Sequence, residues 1–423
     1  MRKKVVELCK SLLIALLALS ILALTVLALP TRTLTQTPWL AAILSPFAQV
    51  LGMERASAPL AQADETSAPA AQPVQLSIMT GGGRATLAYD FTALDEGYEA
   101  LGGLLAQALD TADAPQQATR ARLYEALGGE SVAFVYPGAL PADAVASWLG
   151  ADAETFAGCN AWLYVLSARG ETAQLYLLGE AALVADTQLA SETITHAAGA
   201  YHPDGSQFLF ETVSELYAHL DGAALIPAAP ALRAAELTNP CDSRFITALA
   251  SRLGFNPYGD ATYTDDAGNT FFSETNYTLQ ISADGRLRLR SQDRARLPAS
   301  GGAAGQIQAA RELLGQLLSG VQSDARLYLT GYTPTDTGAV CTFDYVLSGA
   351  RVLQASGAGA SVTISSGRIT AADAVLAGYT LTDGTLTLLP AAQAAVLLAD
   401  DTRMELCYAV SGGQLSAGWI GRS

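Results

Sequence analysis

The chain has 423 residues, enough for two or three domains, and half of it is apolar, so a sizeable core can be buried. Its formal net charge of -16 is unevenly spread: all three lysines (Lys3, Lys4 and Lys10) lie in the first ten residues, whose net charge is +3, and the remaining chain carries 20 Arg against 39 acidic residues, a net of -19. So acidic a body repels phosphate backbones, which argues against nucleic-acid binding, and repels anionic lipid heads, which leaves membrane contact to another segment.

That segment is the run Ser11–Leu29, nineteen residues without a charge. As a helix it is about 28 Å long, close to the thickness of a bilayer core. The basic tail 1–10 precedes it, so the positive-inside rule puts the N-terminus in the cytoplasm and everything after Pro30 outside. A cleaved signal peptide is the competing reading. Its apolar stretch is usually shorter, and Val26-Leu27-Ala28, which could suit cleavage, lies inside the run with no polar spacer before it. No Cys follows in lipobox position.

Residues 30–54 are a juxtamembrane apolar segment. Pro38–Met53, broken by Pro46, is too short to span; it reads equally as an interfacial helix or as one packed on the ectodomain. Residues 55–73, rich in Ala, Pro, Ser and Gln, read as a flexible tether. Residues 74–238 read as an α+β domain. A hairpin surrounds Gly81–Gly83, helices cover Thr92–Leu109 and Gln116–Leu127, and a short strand covers Ser131–Tyr136. A helix at Pro141–Leu149 and a hairpin about Arg169-Gly170 come next, with a further strand at Ala182–Val184 and helices near Ser191–Ala197 and Ser206–Leu220. Residues 239–298 form a second unit: an amphipathic helix Cys241–Leu253 closed by Gly254, then short strands in which Tyr277, Leu279 and Ile281 share one face and Arg286, Arg288 and Arg290 stay wet. Residues 299–423 repeat that plan, with a helix over Gln306–Leu318 followed by strands at Arg326–Tyr332, Val340–Leu347, Ser361–Ser365, Tyr379–Leu381 and Arg403–Val410. A helix over Pro390–Leu398 precedes the last strand. The expected fold class is therefore α+β: a transmembrane helix, an α+β domain, and two units of a helix plus an antiparallel meander.

No constellation of residues carries chemistry, and no cofactor or metal is expected. His196, His202 and His219 lack ligand spacing, and the nucleophile-elbow, HExxH and Cys–His signatures are missing. Asp265–Asn269 has oxygens that could touch calcium but lacks the alternating spacing and the distal Glu, so it reads as a hairpin tip. Cys159, Cys241, Cys341 and Cys407 lie on the outer side, too few for a disulfide scaffold; whether Cys341 and Cys407 or others pair stays open.

The stretch Leu253-Gly254-Phe255-Asn256-Pro257-Tyr258 is followed by Tyr263, Asp266-Ala267-Gly268, Phe271-Phe272 and Leu279-Gln280-Ile281 with Asp284-Gly285. Together they resemble the YycH and YycI regulators, membrane-anchored partners of the YycG sensor histidine kinase of Gram-positive bacteria. Cys341–Tyr345 with Gly349, Val362–Ile364 with Gly367-Arg368-Ile369, and the ending Leu406-Cys407-Tyr408, Leu415 and Trp419 resemble the PepSY-like domains of that family. Two positions depart from it: Ala417-Gly418 and Ala350-Arg351 stand where the family tends to carry proline. The resemblance implies a non-enzymatic regulator whose partners are a sensor kinase and a paralogous regulator. The alternatives are a generic cell-envelope binding or assembly module and an extracytoplasmic hydrolase, and the missing constellations weigh against the last. Within the span, Ser11, Ala15, Ala18, Leu22 and Thr25 fall on one stripe, small or hydroxylated except for Leu22. Small residues let transmembrane helices approach closely, so this stripe is the expected docking face for a partner's span; an Ala-rich span whose stripe arose by chance is the competing reading.

The topology is open to a direct check. An impermeant thiol reagent applied to intact cells should leave Cys9 unlabelled, as read by peptide mapping; strong labelling of Cys9 would reverse the orientation.

Overall fold

In the computed structural model, the described residues are 71–151, 154–291, 297–299, 301–355 and 357–422. The expected tail, span and juxtamembrane segment and nearly all of the expected tether lie outside them, including Ser11, Ala15, Ala18, Leu22 and Thr25. The described residues all belong to one compact unit, Pro59–Ser423.

The first layer is built on long apolar strands. Strands β1 (Gln75–Thr80), β2 (Gly83–Ala88), β3 (Gln116–Ala118), β4 (Ser131–Pro141), β5 (Asn160–Ser167), β6 (Thr172–Leu178) and β7 (Ala182–Ala190) form a seven-stranded sheet in the order β2-β1-β4-β5-β6-β7-β3. Strand β5 is buried on both faces except at Asn160, as a near-continuous apolar run requires. On one face Ile78, Phe134 and Leu166 pack in the core that takes Leu101 and Leu105 of helix α1 (Phe91–Asp110) and Ile194 of helix α4 (Ser191–Ala198). On the other, Val135, Leu163 and Val165 meet Leu123 and Leu127 of helix α2 (Arg120–Gly128) together with Phe208 and Leu225. Helix α3 (Ala142–Trp148) follows β4 directly.

Two expectations for this region need correction. The helix expected over Gln116–Leu127 begins only at Arg120, because the Thr119 hydroxyl accepts from the amide of Arg122 as an N-cap and Gln116–Ala118 pairs with β7. The helix expected over Ser206–Leu220 does not form. Only single turns of 3-10 helix form, at Leu209–Glu211 and Glu215–Tyr217, and the apolar residues are split between cores, Phe208 entering one and Leu209 another. Gln207–Phe208 (β8) pairs with Leu225–Ile226 (β9), and the turn between is tied by the Glu211 carboxylate, which accepts from the Phe208 amide at 2.7 Å and meets Arg84 at 2.6 Å.

The second layer is larger. Strand β10 (Arg233–Thr238) leads to helix α5 (Ser243–Arg252), which starts at the Asp242 cap and ends before Gly254, where φ of +84° suits a residue without Cβ. Strands β11 (Thr262–Thr264), β12 (Thr270–Ser273), β13 (Tyr277–Ile281) and β14 (Arg286–Ser291) follow, then helix α6 (Gly302–Leu318). Next come β15 (Arg326–Thr335), β16 (Gly338–Leu347), β17 (Ala350–Leu353), β18 (Ala360–Ser365), β19 (Arg368–Val375) and β20 (Gly378–Thr385). Helix α7 (Ala391–Ala395) precedes β21 (Arg403–Ser411) and β22 (Gln414–Arg422). Strand β10 pairs only with β20; the other eleven form one sheet in the order β11-β12-β13-β14-β19-β18-β16-β17-β21-β22, with β15 on the outer side of β16. The two helix-plus-meander units expected at 239–298 and 299–423 therefore share a single sheet, joined where β14 pairs with β19. The meander is also not wholly antiparallel, since β17 runs parallel to β21. The mixed α+β class is as expected.

The two layers meet where β4 crosses β15. Strand β4 changes register between Val135 and Leu140, and Gly138 in that break lies against the backbone of Thr330. A Cβ at position 138 would sit 1.9 Å from the Thr330 carbonyl oxygen, so only glycine permits the approach. Gly138→Ala should lower the urea midpoint, by about 1–3 kcal/mol or more in stability. In the same assay Gly103→Ala, on the exposed side of α1 with nothing within 4 Å of a Cβ, should be neutral or stabilising.

Candidate interaction surfaces

The register of the large sheet sorts its side chains. Phe272, Leu279, Leu289, Ala372, Val362 and Cys341 lie opposite one another across six strands and are buried in the core that also takes Leu249 of α5 and Ile307, Leu313, Leu314 and Leu317 of α6. The alternate rows point the other way. One runs Tyr263, Phe271, Gln280, Arg288, Asp373, Ser361, Thr342, and the next runs Ser273, Thr278, Arg290, Ala371, Thr363, Val340; none of these residues is buried. Helices α5 and α6 thus cover one face of β12–β14, β18 and β19, and the other faces water.

On that open face Arg286, Arg288 and Arg290 stand at alternate positions of β14, about 7 Å apart along the strand. Arg290 grips both oxygens of Asp373, at 2.8 and 3.0 Å; Arg288 reaches the same carboxylate at 3.8 Å, and Arg286 meets Asp284 at 3.1 Å. These pairs are solvent-exposed and contribute at most about 1 kcal/mol each. At the edge of the sheet Tyr263 stacks on Phe271, with ring centroids 4.8 Å apart, and Tyr258 is 86% exposed. The face is thus a polar platform with a cationic stripe and an aromatic edge, on a protein that is otherwise strongly acidic.

A second feature is a cleft of about 980 Å³ between the start of α1 and the end of α6, bordered by Asp90, Phe91, Arg311, Ser323, Asp324 and Arg326. The described chain enters here: Gln72 donates to Asp95 at 2.5 Å. Arg326 binds the same carboxylate through two bonds of 2.7 Å and lies 4.2 Å from the Phe91 ring centroid. Those bonds to Asp95 raise the Arg326 pKa further above its usual range. Asp90 caps α1 and Asp324 accepts from the Leu381 amide, so these carboxylates are committed to structure.

The side chains with potential for chemistry hold structural roles. The Asp265 carboxylate accepts from the amides of Ala267 and Asn269 and from the Asn269 side chain, closing the β11–β12 turn. His219 Nε2 lies 3.1 Å from the Ala395 carbonyl oxygen. The four cysteines among the described residues are free, which answers the open question of Cys341 and Cys407. Burial pushes the Cys341 thiol up to about 12; burial, then Asp242 and Asp284, push Cys241 up to about 11. A protonated thiol is a poor nucleophile and metal ligand, and among the described residues no group of three His, Cys, Asp or Glu is placed to hold a metal ion. No described helix is long and apolar enough to cross a membrane.

The wet Arg stripe was readable from alternation along β14. The Asp373 and Phe271 that join it were not, because each comes from a strand whose partner only the sheet order supplies.

No family model matches the chain, and no curated protein does. Among solved structures the fold is similar to the crystal structure of YycH from Bacillus subtilis, with a TM-score of 0.51 and 10% sequence identity over 84% of this chain and 97% of that one. The likeness establishes a YycH-like fold.

At pH 8, Cys241 should react with a thiol reagent about 100-fold more slowly than free cysteine, following its reduced thiolate fraction. A rate near that of free cysteine, read by peptide mapping, would contradict its placement.

Proposed function

We propose that this protein is a non-enzymatic, extracytoplasmic regulator of a two-component sensor histidine kinase. A single span anchors it, with the N-terminus in the cytoplasm, and it acts through contacts of both span and ectodomain. The observation that carries this reading is the YycH-like fold, which extends over most of the chain and agrees with the motif resemblance at Leu253–Tyr258 and Cys341–Tyr345. A paralogous regulator is a second partner by the same resemblance.

In this reading the stripe Ser11, Ala15, Ala18, Leu22 and Thr25 packs against the partner's span, where small residues allow close approach. The open face of the large sheet meets the partner's ectodomain, its Arg286–Arg288–Arg290 stripe matched by carboxylates there. Complementary charge of this kind sets orientation and association rate more than affinity.

The test is a reporter of kinase output at equal protein levels. Ala15→Leu with Ala18→Leu should disturb signalling because each adds bulk at the proposed contact; Leu17→Ala with Leu24→Ala should do little. Equal effects from the two pairs would remove the span from the mechanism. Full activity after replacing residues 11–29 with an unrelated span would favour the generic envelope adaptor. Arg288→Glu with Arg290→Glu should impair signalling while changing stability by about 1 kcal/mol or less; unchanged output would clear the open face of a role.

A further inference from the structure

At the seam between the two layers lies a partly buried ionic cluster. Arg351 on β17 reaches Asp344 of β16 at 3.3 Å and Glu405 of β21 at 3.4 Å. Arg403 and Arg422, directly opposite each other on β21 and β22, each reach the same Glu405 at 3.8 Å. Arg422 also donates to the carbonyl oxygens of Pro137 and Thr330, on both sides of the seam. Three guanidinium groups thus face two carboxylates. Asp221, which also attracts Arg403, is held by Arg120 at 2.8 Å and adds no net charge with its partner.

Arg403 is the least compensated of the three. Its guanidinium lies 4.0 Å from the centroid of the Trp162 ring of the first layer, and its Nη1, with less than 1 Å² exposed, has no hydrogen-bond partner among the described residues. Burial pulls its pKa down to about 10, which still leaves the group charged at neutral pH, and a charge whose side chain is only 12% exposed requires compensation. Beside it is a cavity of about 30 Å³ lined by Arg403, Glu405, Tyr89, Gln75, Trp162 and Gly349, among others from both layers. That is room for one or two water-sized particles. Tyr89 is held there at φ +60°, an uncommon conformation for a tyrosine, and its hydroxyl accepts from Gln75 at 3.4 Å, so its own proton is available to an acceptor. The polar side chains at this cavity are the Arg403 guanidinium, the Gln75 amide, the Tyr89 and Tyr136 hydroxyls and the Glu405 carboxylate, which already faces three arginines; the rest of the lining is mostly apolar.

The geometry points to a binding site for one small monovalent anion, of the size of chloride, held by Arg403 and the Tyr89 hydroxyl. The ion balances the excess guanidinium charge and couples the docking of the two layers to anion concentration. A multi-atom organic anion is too large for the cavity.

Equilibrium dialysis of the full-length wild-type chain with radioactive chloride should find about one chloride per chain, displaced by bromide and not by gluconate; no bound chloride overturns the assignment and leaves buried water as the occupant. In parallel, the melting temperature should rise with chloride at constant ionic strength made up with gluconate, and the rise should level off as the site fills. Arg403→Gln should abolish that dependence, and an equal chloride dependence in this variant would place the effect elsewhere. Should Arg403→Gln fail to fold, Tyr89→Phe provides the second reading, with chloride affinity reduced several-fold; unchanged affinity in Tyr89→Phe would count against the site.

Discussion

The close approach of β4 to β15 is the contact on which the rest of the described fold depends. Gly138 permits backbone to meet backbone there, and within a few residues Arg422 bonds to carbonyl groups on both strands. One core continues across the seam, from Ile78 and Phe134 in the first sheet to Phe343 and Val362 in the second. Core side chains are packed to crystal-like density, so a displacement at the seam is felt on both sides rather than absorbed. The buried arginines add orientation more than stability: an ion pair in the interior roughly offsets its own desolvation, but a misplaced one is strongly unfavourable.

That arrangement gives the two sheets different fates. The first is covered on both faces and presents no broad side-chain platform. The second, covered by α5 and α6 on one side only, keeps the rows of Arg288 and Arg290 exposed to water. Alternation along an antiparallel strand keeps these roles apart, since neighbouring residues such as Leu289 and Arg290 belong to core and surface. The face carries its few cations in a body with net charge -19 outside the first ten residues, so an acidic partner would be steered to it rather than to the remaining surface.

Much of the local structure was legible in the sequence because its cause is local. The amphipathic helix closed by Gly254 and the alternation in β13 and β14 each depend on a few neighbouring residues. The helix expected over Ser206–Leu220 shows the reverse. Its apolar residues are divided between two cores built by distant strands, and no window of sequence contains that information. Of the site residues, the span stripe rests on sequence periodicity alone, whereas Arg403 and Tyr89 had no signal at all: an arginine in a strand reads as a wet residue until its neighbours are known.

By itself the sequence determined the acidic body, the uncharged run of nineteen residues behind a basic tail, the α+β class and the buried sides of β13 and β14. These follow from composition, charge and the two periodicities of helix and strand. Only the tertiary structure decided that residues 239–298 and 299–423 share one sheet, that β17 runs parallel to β21, and that three arginines converge on Glu405. Pairing between strands far apart in the chain is set by which register buries every apolar face at once, and that is a property of the assembled fold rather than of any segment.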